Sequence, residues 1–284
     1  MKRVLLSWSS GKDSAWALYL LRHTPGLEIV ALVTAFNSSA NRVAMHAVRR
    51  GLVAAQAERL GLPLWSVDLP SVCSNVVYED CMAAVWRRAA AENIHDIAFG
   101  DLFLQDIRSY REQQLRATGL RPIFPAWQLP TAALARDMIG TGVKAKITCV
   151  DPSKLDSGLA GREFDPAFLR LLPAQADPCG ENGEFHTFVY DAPFFSRPIS
   201  IHMGETVVRD GFVFADVLPD DTPEHSKSRS SWGQCASCTN GKTIASDRGS
   251  LFLRCMLSDS NPAFPRYPRL PVLSCSGWSA AQLS

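Results

Sequence analysis

No apolar run in the 284 residues approaches the roughly 18 that a membrane-spanning helix needs. An excess of charge is missing too. The 29 Lys and Arg against 28 Asp and Glu leave a net +1, so the body of the chain is not a general polyanion binder. The first residues run straight into an apolar segment, which predicts no signal peptide and a cytoplasmic protein without membrane contact. Hydrophobic content of 46% and charged content of 20% are those of a globular chain, long enough for one large domain or two to three small ones. Two features are concentrated at one end. Residues 225–284 hold seven basic residues against two acidic ones, and they also hold four of the eight cysteines. That charge suits a nucleic acid or an acidic protein surface, or is simply a solvated basic extension.

The stretch 4–14, Val-Leu-Leu-Ser-Trp-Ser-Ser-Gly-Lys-Asp-Ser, reads as a short buried strand, a small-residue turn and a helix opening at Lys12. Ala15, Trp16, Leu18, Tyr19 and Leu21 fall on one face at helical spacing. Such a junction presents unpaired backbone N–H groups at the positive end of a helix dipole, which suits phosphate oxygens; ordinary N-capping by Ser9 or Ser10 is the alternative. The Walker pattern is excluded, because Gly11-Lys12 is followed by Asp13 and Leu6 stands five residues before Gly11. The loop resembles instead the Ser-Gly-Gly-x-Asp-Ser pyrophosphate loop of ATP pyrophosphatases of the adenine-nucleotide α-hydrolase type. Ser10 stands where that family usually has its first glycine.

Downstream, a continuous apolar run over 28–36 predicts a strand buried on both faces. A polar loop at 37–41 follows, then a helix over 44–60 closed by Gly61. A strand at 63–67, a helix over about 76–93 and a strand at 96–99 complete an alternation that predicts a parallel α/β sheet. Ligands of such sheets lie beyond the carboxyl ends of the strands, where strand order reverses, so residues 7–14, 34–37 and Gly100-Asp101 should be neighbours. Arg108, Arg111 and Glu112 are spaced to approach Asp101 or one another from a helix. From 144–150 and 185–217 the pattern turns to hairpin-like strands.

Gly100-Asp101-Leu102-Phe103-Leu104 with Tyr110-Arg111-Glu112, Pro125-Ala126-Trp127, Gly142-Val143-Lys144-Ala145, Gly161-Arg162, and the string from Cys179 through Glu181-Asn182-Gly183-Glu184 to Thr187 resemble, in collinear order, the diphthine–ammonia ligase family. With the loop, the resemblance spans about 3–217. It implies a Rossmann-like, HUP-type parallel α/β domain at 1–120 and a smaller α+β acceptor domain at 121–222. The implied reaction is ATP-dependent amide formation. A carboxylate is adenylated with release of pyrophosphate, and ammonia then displaces AMP; in eukaryotic and archaeal members the acceptor is diphthine on elongation factor two. Carried onto this chain, the resemblance implies that Ser7, Ser9, Ser10, Gly11, Lys12, Asp13 and Ser14 bind ATP. Lys12 would neutralise charge, Asp13 would aid Mg²⁺, and Gly100 and Asp101 would organise the nucleotide end.

Asn182-Gly183 is a tight-turn dipeptide, so Glu181 and Glu184 flank a turn and are expected to share one pocket, where carboxylates serve Mg²⁺, ammonium or proton removal. His186 reads as a base or a packed strand residue, and His46 as pocket lining. Residues 223–284 form a polar linker and a tail in which Cys235-x2-Cys238-x16-Cys255-x19-Cys275 suits structural Zn²⁺, with an iron–sulfur cluster or free thiols as alternatives. The tail lies outside the resemblance. Two other functions stay open: a tRNA-thiolating enzyme with cysteines such as Cys73 or Cys81 in the α/β domain, and an ATP-binding sensor without turnover.

Overall fold

The first strand, β1 (Lys2–Ser7), is fully buried at Val4, Leu5 and Leu6, as a central parallel strand covered on both faces must be. In a computed structural model of the chain, residues 1–43, 47–220, 232–245 and 251–280 are described. They divide into two compact units, Met1–Leu218 and Pro219–Ser284.

In the first unit β1 leads into α1 (Lys12–Arg22), then β2 (Leu27–Asn37), β3 (Arg42–Val43), α2 (Arg50–Leu60), β4 (Leu64–Leu69), α3 (Asn75–Ala91), β5 (Asp96–Ala98), α4 (Gln105–Leu115) and β6 (Arg121–Ile123). β2 lies between β1 and β4, while β5 and β6 extend the sheet on the other side of β1, every one of these pairs being parallel. The short β3 pairs antiparallel with the far end of β2. Strand order therefore reverses at β1, which places the switch point at its carboxyl end. Val4 and Leu6 face a core shared with α1 and α2, and Leu5 faces a second core with Met82, Val85 and Ala89 of α3.

The chain continues through α5 (Thr131–Gly140), β7 (Lys144–Val150), α6 (Pro166–Leu171), β8 (Phe185–Asp191), β9 (Ile201–Arg209) and β10 (Phe212–Pro219). These strands form a second sheet in the order β8-β7-β10-β9, antiparallel where its register is set between β7 and β8 and between β7 and β10. Its inner residues, among them Ile147, Phe185 and Phe188, join the same core as Val4 and Leu6.

Two differences from the sequence reading have physical causes. The helix expected over 44–60 begins at Arg50, because Val43 pairs with Phe36 and Ala47 takes φ +56°, a left-handed backbone that a helix cannot run through. His46 lies outside the described residues. Arg121–Ile123, expected in the second domain, pairs with β5 and completes the parallel sheet. Gly61, the expected helix stop, caps α2 at φ +66°.

The second unit is a two-stranded antiparallel ribbon, β11 (Gly241–Ala245) and β12 (Leu251–Cys255), with irregular chain packed on it. Trp232 and Leu253 are its buried apolar side chains among the described residues, a small core for its length.

Candidate functional site

At the carboxyl end of β1 the backbone turns through Ser9, Ser10 and Gly11 into α1. Ser10 adopts φ +73°, the conformation for which a glycine is the unstrained residue. The loop is held from three sides. Trp8 is 1% exposed and its Nε1 donates to Gln56 Oε1 at 2.7 Å. The Gln56 amide nitrogen donates to Ser10 O at 3.0 Å and to Val189 O at 2.6 Å. From β8, Val189 N donates to Ser10 O and Thr187 Oγ1 accepts from Lys12 N, both at 3.0 Å. Within the turn, Ser9 and Ser14 hydroxyls meet at 3.3 Å. The Ser10 hydroxyl is buried without a hydrogen-bond partner, which leaves a donor inside the loop for an anion's oxygen.

Gly100 lies against the start of α1. A Cβ there would stand 2.9 Å from Asp13 C and Ser14 N, so only glycine lets the β5 end approach the helix this closely. The neighbours expected from sheet topology, the β1 loop and Gly100-Asp101, thus meet through backbone. Thr34 joins them, its hydroxyl donating to Trp8 O at 2.7 Å.

Beside the loop lies a cavity of about 450 Å³ at the strand ends. Ser7, Val33 and Ala35 line it from the sheet and Ser9 from the turn; Tyr78, Tyr110 and Arg111 line it from α3 and α4, and Cys73 from the segment before α3. Arg111 reaches Asp101 at 3.4 Å and lies over the Phe99 ring at 4.7 Å, while Arg108 pairs with Glu112 instead. The sequence had placed Thr34 near the site through the sheet topology and Tyr110 only within a motif, and it had singled out neither Gln56 nor Tyr78. Gln56 carried a signal, as a polar residue on the apolar face otherwise made by Leu52, Val53, Ala57 and Leu60.

Lys12 is turned inward and is 1% exposed. Its ammonium donates to Asp13 Oδ2 at 2.9 Å and to the Cys179 carbonyl, and it lies near the rings of Phe185 and Phe164, 5.0 and 5.5 Å from their centroids. Burial pulls its pKa down, but the Asp13 carboxylate and the neighbouring groups outweigh that, and it stays raised and charged.

Glu181 Oε1 accepts from Leu102 N at 2.7 Å, tying the segment before β8 to the end of β5. Burial, with Asp13 and Asp101 nearby, pushes its carboxyl up to about 7, against the stabilising Leu102 N–H. Glu184 goes elsewhere. It is 2% exposed and accepts from Asp177 N at 2.9 Å, while its second oxygen has no partner. It borders a separate polar hollow with Lys154, Gln175 and Asn182. The two carboxylates are tied to different segments, Glu181 to Leu102 N–H and Glu184 to Asp177 N–H, across a chain that turns left-handed at Gly180 and Gly183, with Gly180 pressed onto Phe185 O. His186 is buried, and desolvation with Lys12 nearby lowers it to about 4, so it is neutral at pH 7.

In the second unit the backbone gathers the cysteines. Gly241 pairs with Cys255 across the ribbon and lies so close to Cys235 and Cys238 that a Cβ would be 2.9 Å from Cys235 O. Trp278 N donates to Cys275 O and its Nε1 to Gln234 O. Burial raises the Cys235 thiol pKa, and Cys238, Cys275 and Cys255 each add to the rise, so all four thiols lie within electrostatic reach. Among the described residues, no three His, Cys, Asp or Glu side chains are grouped to hold a metal ion.

A parallel sheet with helices on both faces, a Ser/Gly loop at its switch point and a cavity beside it define a doubly wound α/β protein with an antiparallel second lobe. Family models of the diphthamide synthase N-terminal and C-terminal domains match residues 1–122 and 130–216. The chain belongs to the diphthamide synthase family. It is 26% identical over 238 residues to the diphthine–ammonia ligase of Homo sapiens, covering 76% of this chain and 88% of that one. The enzyme of that name from Danio rerio is 29% identical over 240 residues, covering 76% and 92%.

Proposed function

We propose that the chain is an ATP-dependent amide ligase acting on a protein-borne carboxylate, with diphthine on elongation factor two as its acceptor. The observation that carries this reading is the loop at the switch point, braced by Gln56 and β8 and opening on a 450 Å³ cavity, in a chain of this family. ATP would lie in that cavity with its phosphates on the N–H groups and hydroxyls of Ser9, Ser10, Gly11 and Ser14. Asp13 would hold Mg²⁺, which neutralises the phosphates, and Lys12 would fix the Asp13 carboxylate by their 2.9 Å bond. Gly100 and Asp101 would close the nucleotide end. The acceptor carboxylate attacks the α-phosphorus and pyrophosphate leaves. Ammonia then attacks the acyl carbon, AMP leaves, and the surplus proton needs a base. Glu181, held near neutrality, is the group suited to take it, and Glu184 would hold ammonium on its way in.

Phosphorus NMR of the protein with Mg-ATP, ammonium and diphthine-bearing elongation factor two tests this. AMP plus pyrophosphate, absent with Asp13→Ala, is the expected result; ADP plus phosphate, or no turnover, removes the ligase. One observation favours a second reading. Cys73 lines the cavity, where a tRNA-thiolating enzyme would need sulfur. Full activity of Cys73→Ser on the protein acceptor would eliminate it.

The second unit we read as a structural zinc module for contact with RNA or a protein, supported by its four cysteines, three of which, Cys235, Cys238 and Cys255, approach Gly241 through their backbone. The cytoplasm, where thiols stay reduced, suits both units. No helix among the described residues is long and apolar enough to cross a membrane.

A further inference from the structure

The antiparallel sheet of the first unit borders a second cavity, about 390 Å³, that none of the roles above uses. His186, Cys149, Phe212 and Phe214 line it from that sheet, and Ala40 and Val43 from the segment that follows β2.

Three observations assign it a ligand. Val43 lines both this cavity and the one beside the phosphate loop, so the two hollows adjoin. β8 links the two sites: Thr187 and Val189 bond to the loop after β1, and His186, which precedes Thr187, lines the second cavity. The third observation is charge. Of the two arginines in the lining, Arg42 is committed to Asp216 by bonds of 2.8 and 3.2 Å. Arg209 is half exposed, with a loose contact to Asp210 at 3.6 Å and its guanidinium 4.8 Å from the Phe214 ring centroid. His186 is neutral there, so Arg209 is the cation available to an incoming anion among the described lining residues.

We propose that this cavity admits the acceptor: a protein side chain ending in a carboxylate, steered in by Arg209, its carbon skeleton lying on Phe212 and Phe214 and its tip delivered past Val43 to the nucleotide. The proposal rests on the ligase reading. The volume is that of a small-ligand site, enough for a long modified side chain, and ATP has its own cavity on the other side of Val43.

The test uses the full chain and diphthine-bearing elongation factor two as probe, with affinity measured beside a non-hydrolysable ATP analogue. Ala40→Trp fills the mouth from an exposed position and is expected to weaken probe binding at least tenfold; Ala40→Ser leaves it at the wild-type value. Arg209→Ala is expected to raise the acceptor KM about tenfold at low salt with kcat within about twofold, and Arg209→Lys to restore most of it. ATP affinity is unchanged in all four variants. Wild-type probe affinity in both Ala40→Trp and Arg209→Ala would overturn the proposal, as would equal loss in Ala40→Ser, which would mark a surface contact, or a wild-type protein that does not bind the probe. A wild-type protein that binds the probe through this cavity without forming AMP would sink the ligase reading alone.

Discussion

Gln56 commits both ends of its amide to the loop after β1 and to β8. Its replacement by leucine would leave Trp8 Nε1 without its acceptor and remove one donor each from Ser10 O and Val189 O. We expect a loss of about 2–4 kcal/mol in urea unfolding and a weaker ATP affinity, since each uncompensated buried group costs about 1–3 kcal/mol. Glu181 makes a different prediction. Its carboxyl titrates near 7 instead of the ordinary 4.5. A base must be ionised, so ligation should rise with pH through about 7 and flatten in Glu181→Gln. The stability effect has the opposite sign. The folded protein holds this proton more tightly than the unfolded chain, so stability is fully present below about 4.5 and falls as pH rises through about 7. Glu181→Gln should lose that fall, as measured by unfolding midpoints across the range. The residues at this scale were only partly legible in the sequence. The motif named Glu181 and Glu184, but their divergence depends on two left-handed glycines and the Asp177 N–H, which no spacing displays.

Among the elements, the contact between the β5 end and α1 is a tight constraint at the site. Gly100→Ala would force a carbon to 2.9 Å from the Asp13 and Ser14 backbone. The helix start must shift to relieve it, at about 1–3 kcal/mol. Nucleotide affinity should fall with stability, which paired calorimetry and thermal unfolding would show; unchanged ATP affinity would mean that the loop and β5 are not coupled. β1, α1 and β2 were readable because apolar periodicity alone fixes them. The start of α2 was not. The residues before it look helical by composition, but β3 pairs with β2 and Ala47 turns left-handed, so tertiary pairing overrides local preference. Lys12 shows the same limit. A lysine in a phosphate loop reads as a phosphate ligand, whereas here its ammonium is enclosed by Asp13, the Cys179 carbonyl and two phenylalanine rings.

Across the whole molecule, the two units should respond to different ligands. Mg-ATP at 100 times its Kd should stabilise the first unit by about 2.7 kcal/mol through mass action. The second unit has little core, and a zinc chelator should unfold it, read from Trp232 and Trp278 fluorescence, while ATP binding persists. Stoichiometric zinc in the purified protein, lost on Cys238→Ser, completes that test; metal-free protein with an intact ribbon would refute it.

The closure of the phosphate loop by β8 also sets a timetable. Gln56 braces the loop from nearby in the chain, but its other partners, Thr187 to Lys12 and Val189 to Ser10, lie 175 or more residues further on. At synthesis rates of about 5–20 residues per second, the loop waits on the order of ten seconds or more for its last supports. A chain interrupted before residue 187 has every residue of this loop but lacks the β8 bonds that complete its support, so its folding waits on the second sheet.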